Sequence, residues 1–175
     1  MARSIACMAF GLVLCAASFA DAPLEFGAGP AASVWQFAGS RTSCRLLHEI
    51  PNFGEARFVQ EAGGKLEFDM SAWRLELGSV MDVTSESPPW LTAPGSVKEL
   101  GRVEASAPHE IVAGAQLADA MLRALYRGEQ PRFVSPDVGV SISAVSFRAP
   151  YDSYARCVAQ LLPASFSQLE RSLIV

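Results

Sequence analysis

The sequence predicts an α+β domain, with two helices packed on a mostly antiparallel sheet and one disulfide. Three observations carry that expectation. Several stretches alternate apolar and polar residues at the period of a half-buried strand. Two later stretches place apolar residues at helical spacing. Only Cys44 and Cys157 remain once an N-terminal leader is set aside.

The leader comes first. Arg3 supplies a positive start, Ile5 to Phe19 is apolar, and Ala16 to Ala20 offers small residues for cleavage after Ala20. Residues 1–20 therefore read as a signal peptide. The run is shorter than the roughly 20 residues that span a bilayer, which disfavours an uncleaved anchor. Lipoprotein processing at Cys15 is disfavoured by Leu14, where a small residue is expected. The expected destination is an oxidising compartment outside the cytoplasm. Two thiols in an oxidising compartment usually pair, and the alternative is two free buried thiols.

Residues 21–32 read as a flexible N-terminal segment, and 33–162 as the domain. Ser33 to Gly39 forms a candidate first strand. From Thr42 to Ile50, Cys44, Leu46, His48 and Ile50 share one face. Pro51-Asn52-Phe53-Gly54 is a tight turn, followed by a strand from Ala56 to Ala62. Leu66, Phe68 and Met70 then oppose Lys65, Glu67 and Asp69, and the alternation extends through Trp73, Leu75 and Leu77. Met81 to Thr84 continues the sheet. Pro88, Pro89 and Trp90 break it, because proline cannot donate to a ladder. Residues 96–109 are polar and ambiguous, and His109 to Ala113 is a further strand candidate.

Gln116 to Arg127 is a helix with Leu117, Met121, Leu122 and Leu125 on one stripe and Asp119 and Arg123 paired outside. Gly128 is placed to cap it. Arg132 to Val134 and Val138 to Phe147 return to strand. Pro150 opens a second helix with Tyr154, Cys157, Val158 and Leu161 on its inner stripe. Pro163 ends it, and 163–175 is a tail or linker stub.

The chemistry-bearing residues are few. Of the 175 residues, 18% are charged, and the net charge is -4. Removing the leader takes away only Arg3, leaving 13 basic and 18 acidic residues, a net -5. That balance, without a basic run, argues against nucleic-acid binding. His48 and His109 are the only histidines, and neither a Gly-x-Ser-x-Gly elbow nor a catalytic-cysteine signature accompanies them. A zinc site from Cys44, His48, His109 and Cys157 lacks the usual paired spacing and competes with oxidation. Phosphate-loop and dinucleotide fingerprints are absent, and no cofactor is expected. A small periplasmic hydrolase is thus the minority reading. Pro88, Pro89 and Trp90 offer a rigid contact surface, or else Trp90 folds back as a lid on the sheet. Tyr151 and Asp152 read first as helix start and second as contact residues.

Three separated landmarks resemble the MotY N-terminal domain family of flagellar motor proteins. The first runs from Ser43 to Phe58 and contains Cys-x3-His-x-Ile-Pro-x-Phe-Gly-x-Ala-x-Phe. The second is Pro88-Pro89-Trp90 with Pro94-Gly95. The third is Phe147-x2-Pro150-Tyr151-x2-Tyr154-x2-Cys157-x3-Leu161-Leu162. The resemblance spans about Trp35 to Leu162. It implies a non-enzymatic component of the periplasmic ring around the flagellar basal body (the T ring), docking to basal-body proteins and to a MotX-like partner, and supporting stator assembly. It also implies a disulfide between Cys44 and Cys157. Family members continue into an OmpA-like domain that binds peptidoglycan. Such motifs do not follow here before Val175, so direct peptidoglycan binding is not expected. An envelope adaptor outside motility is the alternative.

Overall fold

The computed structural model describes residues 22–78, 80–87 and 97–161. Residues 1–20, read above as a signal peptide, Pro88, Pro89, Trp90 and residues 163–175 lie outside these residues. Ten strands and two helices follow in chain order: β1 (Leu24–Gly27), β2 (Trp35–Gly39), β3 (Ser43–Ile50), β4 (Gly54–Glu61), β5 (Glu67–Ala72), β6 (Val80–Glu86), β7 (Lys98–Ala107), β8 (Glu110–Ala113), α1 (Ala115–Arg127), β9 (Gln130–Val134), β10 (Val138–Ser141) and α2 (Arg148–Ala159).

All ten described strands join one sheet, in the order β1-β10-β9-β6-β7-β8-β5-β4-β3-β2. Every pairing is antiparallel except β1 with β10. This corrects the α+β class: the chain is mainly β, a curled half-barrel carrying two helices. The difference lies in two segments whose strands bury almost nothing. Within 21–32, β1 has only Phe26 half-buried. Within 96–109, β7 is the longest strand described, yet Val103 is its single buried residue. The reverse holds at Trp73 to Leu77, where alternation occurs without a strand. Trp73 is 57% exposed, and Leu77 donates its N–H to the Pro108 carbonyl at 2.7 Å instead of joining a ladder.

The curl brings the two ends of the strand order towards each other. Phe26 of β1 lies 5.3 Å from Phe53, beside the β3–β4 turn. Trp35 of β2 donates its indole N–H to the Ser143 carbonyl, just past β10, at 2.9 Å. The core forms one cluster of inward residues from β3, β4, β5, β6, β8, β9 and β10, including Leu46, Phe58, Phe68, Met70, Ile111 and Phe133. Burying such side chains contributes roughly 1.5–3 kcal/mol each.

Both helices close over this core. On α1, Met121, Leu122 and Leu125 are buried, and Asp119 pairs with Arg123 on the outer side. Gly128 ends the helix at φ 87, a left-handed position that glycine adopts without Cβ strain. On α2, Pro150 sits in the first turn, where a missing N–H leaves no helical bond unmade. Tyr154 is buried, and burial pushes its phenol pKa up to about 12.

Candidate functional site

The turn and the two cysteines organise one end of the domain. Phe53 N–H bonds back to the Ile50 carbonyl at 3.1 Å, with Pro51 and Asn52 between them. Asn52 has φ 62, the positive value a type II turn needs at its third position, where asparagine is tolerated. Phe53 is buried, and its carbonyl accepts the Trp73 N–H at 2.8 Å. The turn therefore plugs the curl rather than offering a free loop.

Alternation along β3 aims Cys44 inward with Leu46, His48 and Ile50. The helical stripe of α2 aims Cys157 back at β3. The two sulfurs are bonded, with S–S 1.97 Å and Cα–Cα 6.0 Å, across 113 residues of sequence. At the other end of α2, Phe147 meets Trp35 edge to face at 4.9 Å. The helix thus lies over the inner face of β2 and β3, its start against Trp35 and its end against Cys44.

The histidines sit in different settings. His48 is fully buried, stacked on Trp35 at 4.6 Å, with Nδ1 3.0 Å from the Val34 carbonyl. Burial lowers its pKa below the ordinary value. His109 is exposed, with Nδ1 2.8 Å from the Leu75 carbonyl. Among the described residues, neither ring is hydrogen-bonded to a carboxylate or hydroxyl, and no three metal-ligating side chains cluster.

Tyr151 and Asp152 fall on α2. Tyr151 is half-buried between Phe147 at 5.2 Å and Tyr126 of α1 at 5.3 Å, so it ties the two helices together. Arg148 lies over the Tyr126 ring at 5.4 Å. Asp152 is exposed.

Outside the curl, the convex face of β2, β3 and β4 carries a shallow trough of about 290 Å³. It is lined by Gln36, Phe37 and Ala38 of β2, Arg45 and Leu47 of β3, and Glu55 and Arg57 of β4. Arg57 is engaged by Asp69 at 2.6 Å and Glu55 at 3.5 Å, and the Asp69 hydrogen bond raises its already high pKa. Arg45 reaches only the Ser43 hydroxyl, at 3.3 Å, among the described residues. Sequence reading passed over this trough. Its one visible signal is a short run, Trp35 to Gly39, without charge or proline.

The fold and these surfaces define a disulfide-stapled, mainly β module whose ordered polar groups chiefly serve strand and helix packing. Comparison with known proteins supplies the family. Residues 26–163 match the MotY N-terminal domain, and the chain belongs to that family. The sodium-type flagellar protein MotY of Vibrio parahaemolyticus serotype O3:K6 (strain RIMD 2210633) is 28% identical over 174 residues. That alignment takes in 93% of this chain but 59% of the relative, so the chain spans less than two thirds of its length.

Proposed function

We propose that the chain works in the periplasm as a non-catalytic component of the flagellar motor ring. It docks to basal-body proteins and to a MotX-like partner, and it supports stator assembly through protein contacts. The observation that carries this reading is the family match across residues 26–163. The relative named as a flagellar protein supports it. The leader at residues 1–20 supports export, and the Cys44–Cys157 bond suits an oxidising compartment.

Deleting the coding sequence and scoring swimming together with stator recruitment tests the proposal. Loss of swimming with intact filaments, restored by the full chain, is the expected result. Full motility with normal stator recruitment, in a strain lacking any redundant copy, would overturn it and favour an adaptor outside motility.

A further inference from the structure

The two ends of the strand order are unequal edges. β1 is preceded by Pro23 and carries Glu25, whose carboxylate pairs with Arg132. Proline and charge are common devices that keep an edge from recruiting another strand. β2 has neither: it reads Trp-Gln-Phe-Ala-Gly and pairs with β3 in unbroken register, with no bulge. The direction of its unpaired groups follows from the hairpin. Ser40 N–H bonds to the Ser43 carbonyl, so Gln36 and Ala38 face β3 in the same phase. Phe37 and Gly39 therefore present N–H and C=O away from the sheet. Among the described residues, no backbone group meets them. Phe37 is 38% exposed.

The adjoining surface has a chemical preference. Ala38 stands between this edge and its register partner Arg45, and its small side chain leaves the guanidinium a path to the edge. Arg45 has no carboxylate partner among the described residues, whereas the nearby Arg57 has two. Leu47, the register partner of Gln36, adds apolar lining. We infer that the β2 edge receives an extended segment of a partner protein, which adds as a further strand and sets a carboxylate beside Ala38 against Arg45. Main-chain bonds supply the affinity in such strand addition, and the side-chain positions supply selectivity. A second copy of this chain fits less well. A two-fold pairing of β2 about Phe37 brings Gln36 opposite Ala38, and neither is acidic. The inference rests on the docking function proposed above.

The test uses the full chain in its own cells, with a photoreactive amino acid at exposed Gln36, which leaves Ala38 and Arg45 intact, and, in parallel, at exposed Val112 on β8. The expected product at position 36 joins another protein through a segment containing Asp or Glu. Arg45→Glu should lower its yield about tenfold, a loss of roughly 1.4 kcal/mol in binding, without moving the unfolding midpoint. Lysine in place of the mapped acid should restore it. Crosslinks to residues 162–175 of the same chain, to a second copy, or to nothing overturn the inference, as does a product indifferent to Arg45→Glu. If position 112 captures a motor protein while position 36 does not, docking stands and the β2 edge is excluded. If neither position does and deletion leaves swimming intact, the docking function itself fails.

Discussion

Trp35 lies nearly parallel to His48, with ring centroids 4.6 Å apart and planes inclined by 13°. The stack holds an imidazole in a site without solvent access, where charging it is unfavourable. Its folded pKa is therefore depressed below the ordinary 6.5, against a weaker upward pull from the Val34 carbonyl and Glu49. The unfolded chain then takes up the proton more readily. Stability is complete above about pH 6.5 and falls as the pH drops below that value towards the folded pKa. Urea unfolding across this range should show the loss. His48→Phe, which keeps a ring against Trp35, should flatten the slope. An unchanged slope in the variant would remove His48 as its source.

The disulfide should dominate stability. It closes a loop with a sequence separation of 113, for which loop-closure entropy gives about 4–5 kcal/mol. Replacing Cys44 and Cys157 together with serine should lower unfolding free energy by an amount of this order. Thiol labelling under non-reducing denaturation should find no reactive group in residues 21–175. Two labelled thiols would contradict the bond.

Gly54 opens β4 directly against β5. A Cβ there would lie 1.8 Å from the Ser71 carbonyl oxygen, which belongs to the backbone and cannot swing aside. Gly54→Ala should cost about 3 kcal/mol or more, at the severe end of overpacking. Gly64→Ala is the control, since its Cβ finds its nearest neighbour at 3.4 Å. It should shift stability by less than about 1 kcal/mol. Thermal melts of the two variants separate local crowding from a general intolerance of turn substitutions.

Trp35→Phe keeps a ring against His48 and Phe147 but removes the indole N–H that reaches Ser143. The buried carbonyl then loses a donor, at about 1–2 kcal/mol. Because this bond links β2 to the chain just after β10, hydrogen exchange should speed up at both places. Faster exchange confined to β2 would show that the bond does not hold the curl.

Much of the stapled end was legible because β3 and β4 are buried on one face and wet on the other. Leu46, His48 and Ile50 inward with Arg45 and Glu49 outward is a pattern that few non-strand conformations satisfy. β1 and β7 escaped notice for the opposite reason. They are held mainly by backbone pairing, and their side chains record little of it. β1 also pairs with β10, Leu24 against Val138, far along the chain, so no local turn announces it. The β2 trough was hidden because it depends on which groups remain unpaired after folding, and periodicity does not encode that. Pro88, Pro89 and Trp90 lie outside the described residues.

The staple also sets how the domain would carry tension. A pull entering at Leu161 crosses only a few residues before it reaches Cys157, and there it passes through one covalent bond into β3, next to the β2 edge of the sheet. The loop this bond closes, with a sequence separation of 113 and about 400 Å of chain at full extension, is shielded from the load. Only the short stretches outside the loop can lengthen. Stretched in its oxidised form, the domain behaves as a short stiff link, and reduction converts it into a long compliant one.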